Sequence, residues 1–164
     1  MNREHILQFL NDNPVFFLAT CHHGQPRVRT MRLLKADEHG IFFSTARNKA
    51  LHRQLRSNPA VEMCFYSPGE GIQVRIAGKV GIVTDPEFRH RLAERVPAMS
   101  SFVLDDGPYG VAVFCLQTGR VSIWKEEDFA LRRLSGAELS SVWMAICTGR
   151  SHSPIEGLLA DALV

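Results

Sequence analysis

Between residues 41 and 56 the chain reads IFFSTARNKALHRQLR, so that two hydroxyl residues, Ser44 and Thr45, stand just ahead of Arg47, Lys49, Arg53 and Arg56. Hydroxyls, helix-start amides and cations are the groups that hold a phosphate, and bonds to a charged partner are the stronger ones. The same letters also describe a strand end followed by a solvated basic helix. Taken alone, the stretch modestly favours that plainer reading. His52 reads first as a surface histidine of the same helix. Cys21-His22-His23 offers metal ligands on paper, but neighbouring residues on a hairpin rarely converge on one ion and the sequence has no second cluster, so a turn is the better reading and no metal is expected.

The elements that must position these groups are legible in outline. Ile6, Leu7, Phe9 and Leu10 have helical spacing ahead of the breaker Asn11-Asp12-Asn13-Pro14. Val15 to Thr20 reads as a strand, with turn chemistry behind it at His22 to Pro26. The next strand, Arg27 to Lys35, has Arg27, Arg29, Met31, Leu33 and Lys35 on one face and Val28, Thr30, Arg32 and Leu34 on the other. Neither face is cleanly apolar, which calls for a bulge or for a face covered by a ligand or partner. Leu51 and Leu55 pair at i, i+4 in a short helix over 48–58, with Asn48 as its expected N-cap and Asn58-Pro59 as its stop. VEMCFY over 61–66 is a further strand. The alternation of Ile72, Val74, Ile76, Val80 and Ile82 against Gln73, Arg75, Ala77, Lys79 and Gly81 is the clearest in the chain. Asp85-Pro86 opens a helix over 86–96 with a solvated basic face. Two more strands, 111–117 and 120–125, are expected to join at Thr118-Gly119, and a helix is expected over about 137–147.

Six or seven short strands linked mainly by hairpin turns, with short flanking helices, define a mainly β, β-rich α+β class: an antiparallel barrel. At 164 residues the chain fits one domain able to bury a core unaided. Its four cysteines form no CxxC pair, which points to free thiols, buried at least for Cys64 and Cys115. No apolar run nears the roughly 18 residues of a membrane span. No export signal is read at the N-terminus, so a cytoplasmic location without membrane contact is expected. A net charge of +2 falls below that of a dedicated nucleic-acid-binding domain and suits an anionic small molecule equally well. A nucleic-acid-binding barrel built on Arg27, Arg29, Arg32 and Arg75 beside aromatics stands as a third reading, which predicts steeply salt-dependent binding to single strands, although no nucleic-acid partner is expected.

Four pieces then align in order: Gly24-Gln25-Pro26-Arg27-Val28-Arg29, the strand ending in Ser44-Thr45 with Lys49 after it, Asn58-Pro59-Ala60-Val61, and the strand Gln73 to Val80. In this combination the chain resembles the pyridoxamine 5′-phosphate oxidase-like family of FMN-binding split β-barrel proteins. The resemblance runs over about residues 5–125. It implies a split-barrel domain over 1–134 and a homodimer with FMN at the subunit interface; residues 135–164 fall outside the resemblance as a C-terminal tail that includes the expected helix. It further implies that Arg29, Thr45 and Lys49, with Ser44 beside them, hold the phosphate. Gln73 would reach the ring or ribityl region, and the backbone around Met31, Arg32 and Leu33 would meet the ring edge. Trp124, otherwise read as core or interface packing, would approach the cofactor of the other subunit.

The implied activity is FMN-dependent oxidoreduction of a small molecule, with NAD(P)H as a possible electron donor. No side chain stands out as an obligatory acid or base. The segment WKEEDFALRRL departs from the Arg-rich C-terminal stretch of the full oxidases, which argues against vitamin B6 oxidation. It also keeps open a non-catalytic flavin carrier or sensor. The loop between Thr45 and Lys49 is short for the family, which brings Arg47 and Arg53 forward as substitute phosphate donors.

Overall fold

Alternating apolar residues at period two fold the chain into strands, and the short i, i+4 pairs between them make helices that lie on the strands. The computed structural model describes residues 1–95, 110–126 and 141–145, the last five as backbone. In chain order they form α1 (Arg3–Asp12), β1 (Val15–His22), β2 (Gln25–Asp37), β3 (Gly40–Ala46), α2 (Ala50–Ser57), β4 (Ala60–Ser67), β5 (Ile72–Ile82), α3 (Pro86–Arg95), β6 (Val111–Lys125) and β7 (Ser141–Ala145).

The strands run in the order β3-β2-β1-β4-β5-β6, every neighbouring pair antiparallel. Pairing of β3 with β6 closes these six into a barrel. Phe16 stacks on Phe65 at 4.8 Å between ring centroids, and Phe43 on Phe114 at 5.7 Å, at the centre of the core. α1 adds Ile6, Phe9 and Leu10 to that core, and α2 adds Leu51 and Leu55. Among the described residues no helix is long and apolar enough to cross a membrane.

Two expectations need correction. Residues 111–125 are one strand, not two strands joined at Thr118-Gly119. Gly119 is instead the register partner of Gly78, and a Cβ at Gly78 would come within 2.6 Å of the Thr118 carbonyl oxygen. The paired glycines let β5 and β6 approach closely beside the register shift between Gly78 and Val80, so a turn-like dipeptide serves here as a bend. One half of β6 can then pair with β3 and the other with β7. Secondly, residues 141–145 are a strand and not part of a helix: β7 pairs with residues 118–122 of β6 and satisfies backbone groups on that edge. The sheet therefore continues into the segment expected to be a tail; the rest of 135–164 lies outside the described residues.

The bulge expected in β2 is present as a register shift between Leu33 and Lys35. Ahead of it, Arg29, Met31 and Leu33 turn inward and Val28, Thr30 and Arg32 outward. Thr30, Phe17, Cys64, Arg75 and Ser122 form one outward row across five strands. Val28, Ala19, Glu62, Ala77 and Arg120 form the next. This face leaves Val28 67%, Phe17 50%, Val15 50% and Tyr66 40% exposed. Cys21, Cys64 and Cys115 are free thiols, Cys115 buried and Cys64 half-buried.

Candidate functional site

The apolar run of β3 sets Ile41, Phe43 and Thr45 on its inward side, and Thr45 is only 6% exposed. Ser44 takes the opposite side and is half-buried. The chain then turns: the Arg47 amide donates to the Gly110 carbonyl at 2.9 Å and the Lys49 amide to the Ala46 carbonyl at 3.1 Å. Lys49, rather than Asn48, is the N-cap of α2, in extended conformation and without a side-chain cap, so the first-turn amides of α2 receive no side-chain acceptor from it. Arg53 folds back on the same turn and donates through Nη1 to the Asn48 carbonyl at 3.1 Å. Between Glu38 and Glu62 the sequence contains no acidic residue, while Arg47, Lys49, Arg53 and Arg56 all fall within it.

Arg29 reaches this helix from the barrel side. Its Nη1 donates to the Leu18 carbonyl at 3.2 Å and to Thr20 Oγ1 at 2.8 Å, and its Nη2 donates to Gln54 Oε1 at 2.9 Å. Thr20 Oγ1 in turn donates to the same Gln54 oxygen at 3.0 Å. Burial, and after it the charge of Arg27, lowers the Arg29 pKa from its ordinary value. The group is nonetheless a guanidinium at neutral pH. Gln54 and Thr20 escaped the sequence reading because nothing local marks them: they lie 34 residues apart and only the docking of α2 joins them.

Gln73 on β5 is opposed by Tyr66 on one side and Trp124 on the other. The side chains of Met31 and Leu33 pack on or in the core, while Arg32 is exposed. The Leu33 amide is taken by the Pro14 carbonyl at 2.7 Å. Pairing of β2 with β3 begins only at Leu33, so ahead of it that edge of β2 has no strand partner among the described residues. The nominated residues thus divide in two. Arg29 and Lys49 meet α2, and Thr45 is buried on β3 just ahead of the turn into that helix, whereas Gln73 and Trp124 lie on the outer side of β5 and β6.

His52 is not the surface histidine its spacing suggested. Its ring meets Phe114 edge-on at 6.1 Å, and its Nε2 is buried without a hydrogen-bond partner among the described residues. Burial first, then Arg47, Arg56 and Arg53, lowers its pKa from the ordinary value. Among the described residues no group of three metal-ligating side chains converges, and His22 and His23 simply pack ring against ring at 4.1 Å.

A six-stranded barrel of this topology, with a basic turn at its β3–α2 junction, is a split barrel. The family model described as pyridoxamine 5′-phosphate oxidase matches residues 3–125, and the chain belongs to that family. The pyridoxine/pyridoxamine 5′-phosphate oxidase of Anaeromyxobacter dehalogenans is 39% identical over 83 residues, covering 48% of this chain and 42% of that protein. The chain thus spans less than half the length of this curated relative. Among solved structures, a NimC/NimA family protein from Clostridium acetobutylicum superposes with a TM-score of 0.66 at 27% identity, covering 77% of this chain and 90% of that one. A pyridoxamine 5′-phosphate oxidase-related, FMN-binding protein from Nostoc punctiforme shares the fold with a TM-score of 0.57 at 18% identity, covering 87% of this chain and 96% of that one.

Proposed function

We propose that this chain binds FMN as a homodimer, with the flavin at the subunit boundary, and acts as an oxidoreductase on a small molecule. The observation that carries this reading is the state of Arg29. It is a partly buried cation whose acceptors among the described residues are all neutral oxygens, next to a turn and helix without an acidic residue. A buried charge without a counter-charge is costly, and a phosphate dianion supplies one. The donor set of Arg29, Lys49, Thr45 and the first-turn amides of α2 fits that group, with Arg53 beside it and Ser44 on the far side of the strand.

Within this reading each residue has a defined task. Lys49 and Arg29 neutralise the phosphate; one cation at about 4 Å contributes roughly 1 kcal/mol in water and about 4 at an intermediate effective dielectric. Gln73 hydrogen-bonds the ring or ribityl region, and the open edge of β2 near Met31 and Arg32 offers backbone groups to the ring edge. When bound, the flavin supplies two-electron chemistry, and the protein supplies position and electrostatics. The homodimer is supported by the outer face, where Phe17 and Val28 stand exposed among polar and charged neighbours such as Glu62 and Arg75. It is supported also by β6. Thr45 is opposite Ala112, and Trp124 lies twelve residues further on, about 40 Å of strand contour. That separation applies equally to Gln73, the register partner of Trp124, and favours a Gln73–Trp124 pair that serves the flavin of a partner copy.

The Nostoc punctiforme protein binds FMN by its own description, but at 18% identity it carries the barrel alone. Vitamin B6 oxidation is not part of the proposal, because acidic Glu126 and Glu127 follow Lys125 where the full oxidases are Arg-rich. The same departure favours a second reading, a flavin carrier without turnover. Anaerobic NADPH added to the FMN-loaded protein separates the two: bleaching of the flavin absorbance supports the oxidoreductase, and an unchanged spectrum with NADPH and NADH supports the carrier.

A further inference from the structure

The Arg29 cluster has a chemical peculiarity. A guanidinium offers five N–H donors. Three are used here, on the Leu18 carbonyl, Thr20 Oγ1 and Gln54 Oε1, which leaves two. All three acceptors are neutral, and among the described residues no carboxylate pairs with the group. Thr20, 4% exposed, donates to the same Gln54 oxygen and so fixes the amide that fixes the arginine. A glutamate at 54 would occupy the same volume and bind the guanidinium more strongly, yet it would cancel the charge. Gln54 also lies on the helix that Lys49 begins, five residues or about 7.5 Å of helix axis away. The two cations are therefore referenced to one short rigid element.

We propose that Gln54 and Thr20 are positioning residues for the phosphate of bound FMN: they hold the Arg29 guanidinium in place through neutral oxygens, so that its charge and two of its N–H groups remain for the ligand. This rests on the FMN reading above and names the residues that orient its anion site. An interaction that only docked α2 on the barrel would be improved by a carboxylate at 54. An interaction that keeps a cation available would be damaged by it.

The experiment compares wild type, Gln54→Glu and Gln54→Leu as apoprotein, each titrated with FMN and with riboflavin by flavin fluorescence, with melting curves in parallel. For Gln54→Glu the expected result is a raised apoprotein melting temperature together with FMN affinity lower by about tenfold or more, while riboflavin affinity stays within about twofold. For Gln54→Leu, which frees Arg29 without neutralising it, both FMN affinity and melting temperature should fall. Gln54→Glu with wild-type FMN affinity, or with equal losses for FMN and riboflavin, overturns the assignment and leaves the FMN reading standing. Wild type that binds neither flavin overturns both.

Discussion

Gln73 and Trp124 are direct register partners on β5 and β6. Partners in a ladder have Cβ atoms about 4.5–5.5 Å apart on one side of the sheet. An amide able to donate and accept therefore stands beside a large flat indole, on the half of β6 remote from the basic turn. The arrangement suits a flavin ring, whose heteroatom edge needs hydrogen bonds and whose plane needs apolar cover.

Replacing Gln73 by leucine keeps the volume and removes the hydrogen bond, whose net contribution is about 1 kcal/mol. Affinity for FMN and for riboflavin should fall alike, by about fivefold, as measured by equilibrium titration of the apoprotein. A loss confined to FMN would contradict a ring-side role for Gln73.

Lys49→Ala should do the reverse. Lys49 is exposed at the start of α2, so its removal should leave the apoprotein melting temperature almost unchanged. FMN affinity should fall by about five- to tenfold at low salt, less at high salt, and riboflavin affinity should not respond. Equal losses for both flavins would place Lys49 away from the phosphate.

Phe17 and Val28 lie in adjacent outward rows of the exposed face. The double substitution Phe17→Asp with Val28→Asp puts two charges where a second copy is proposed to pack. Sedimentation velocity should report a monomer with an unchanged circular dichroism spectrum, since neither side chain belongs to the buried core. A dimer that survives both charges would locate the interface elsewhere.

His52 predicts a pH dependence. Its folded-state pKa lies below its ordinary value of 6.5 because burial and three arginines oppose the protonated form. The unfolded chain therefore binds the proton first as pH falls. The stability this group contributes is complete above about pH 6.5 and is lost as pH falls from there through the folded-state pKa. His52→Gln removes the proton-binding site, so the melting-temperature difference between wild type and variant should shift against wild type between pH 7.5 and 5.5. A difference that holds constant over that interval would mean that the buried Nε2 does not govern the titration.

Much of this architecture is legible in the sequence because period-two alternation and turn residues are local signals. The pattern of β5 from Ile72 to Ile82 is plain, and the mixed faces of β2 announce the bulge later seen at Leu33 to Lys35. Thr118-Gly119 misleads because a turn dipeptide and a strand bend use the same glycine, and only the opposing Gly78 tells them apart. Ser141–Ala145 is a strand because β6 offers an edge there, which is not a property of those five residues. In the candidate site Thr45, near the end of β3, and Lys49, just beyond it, are nominated through the family resemblance, since their local pattern alone favours a strand end and a solvated basic helix. The bonds of Arg29 to Thr20 and Gln54 span 9 and 25 residues and exist only once α2 docks on the barrel.

The central claim is that this chain holds FMN, and the most direct measurement is the absorption spectrum of the protein purified without added cofactor, repeated after FMN is added and unbound flavin removed. The prediction is a protein-associated flavin spectrum, present at once or acquired on addition, at a stoichiometry of about one per chain. A colourless protein that acquires no flavin under either condition would contradict the account.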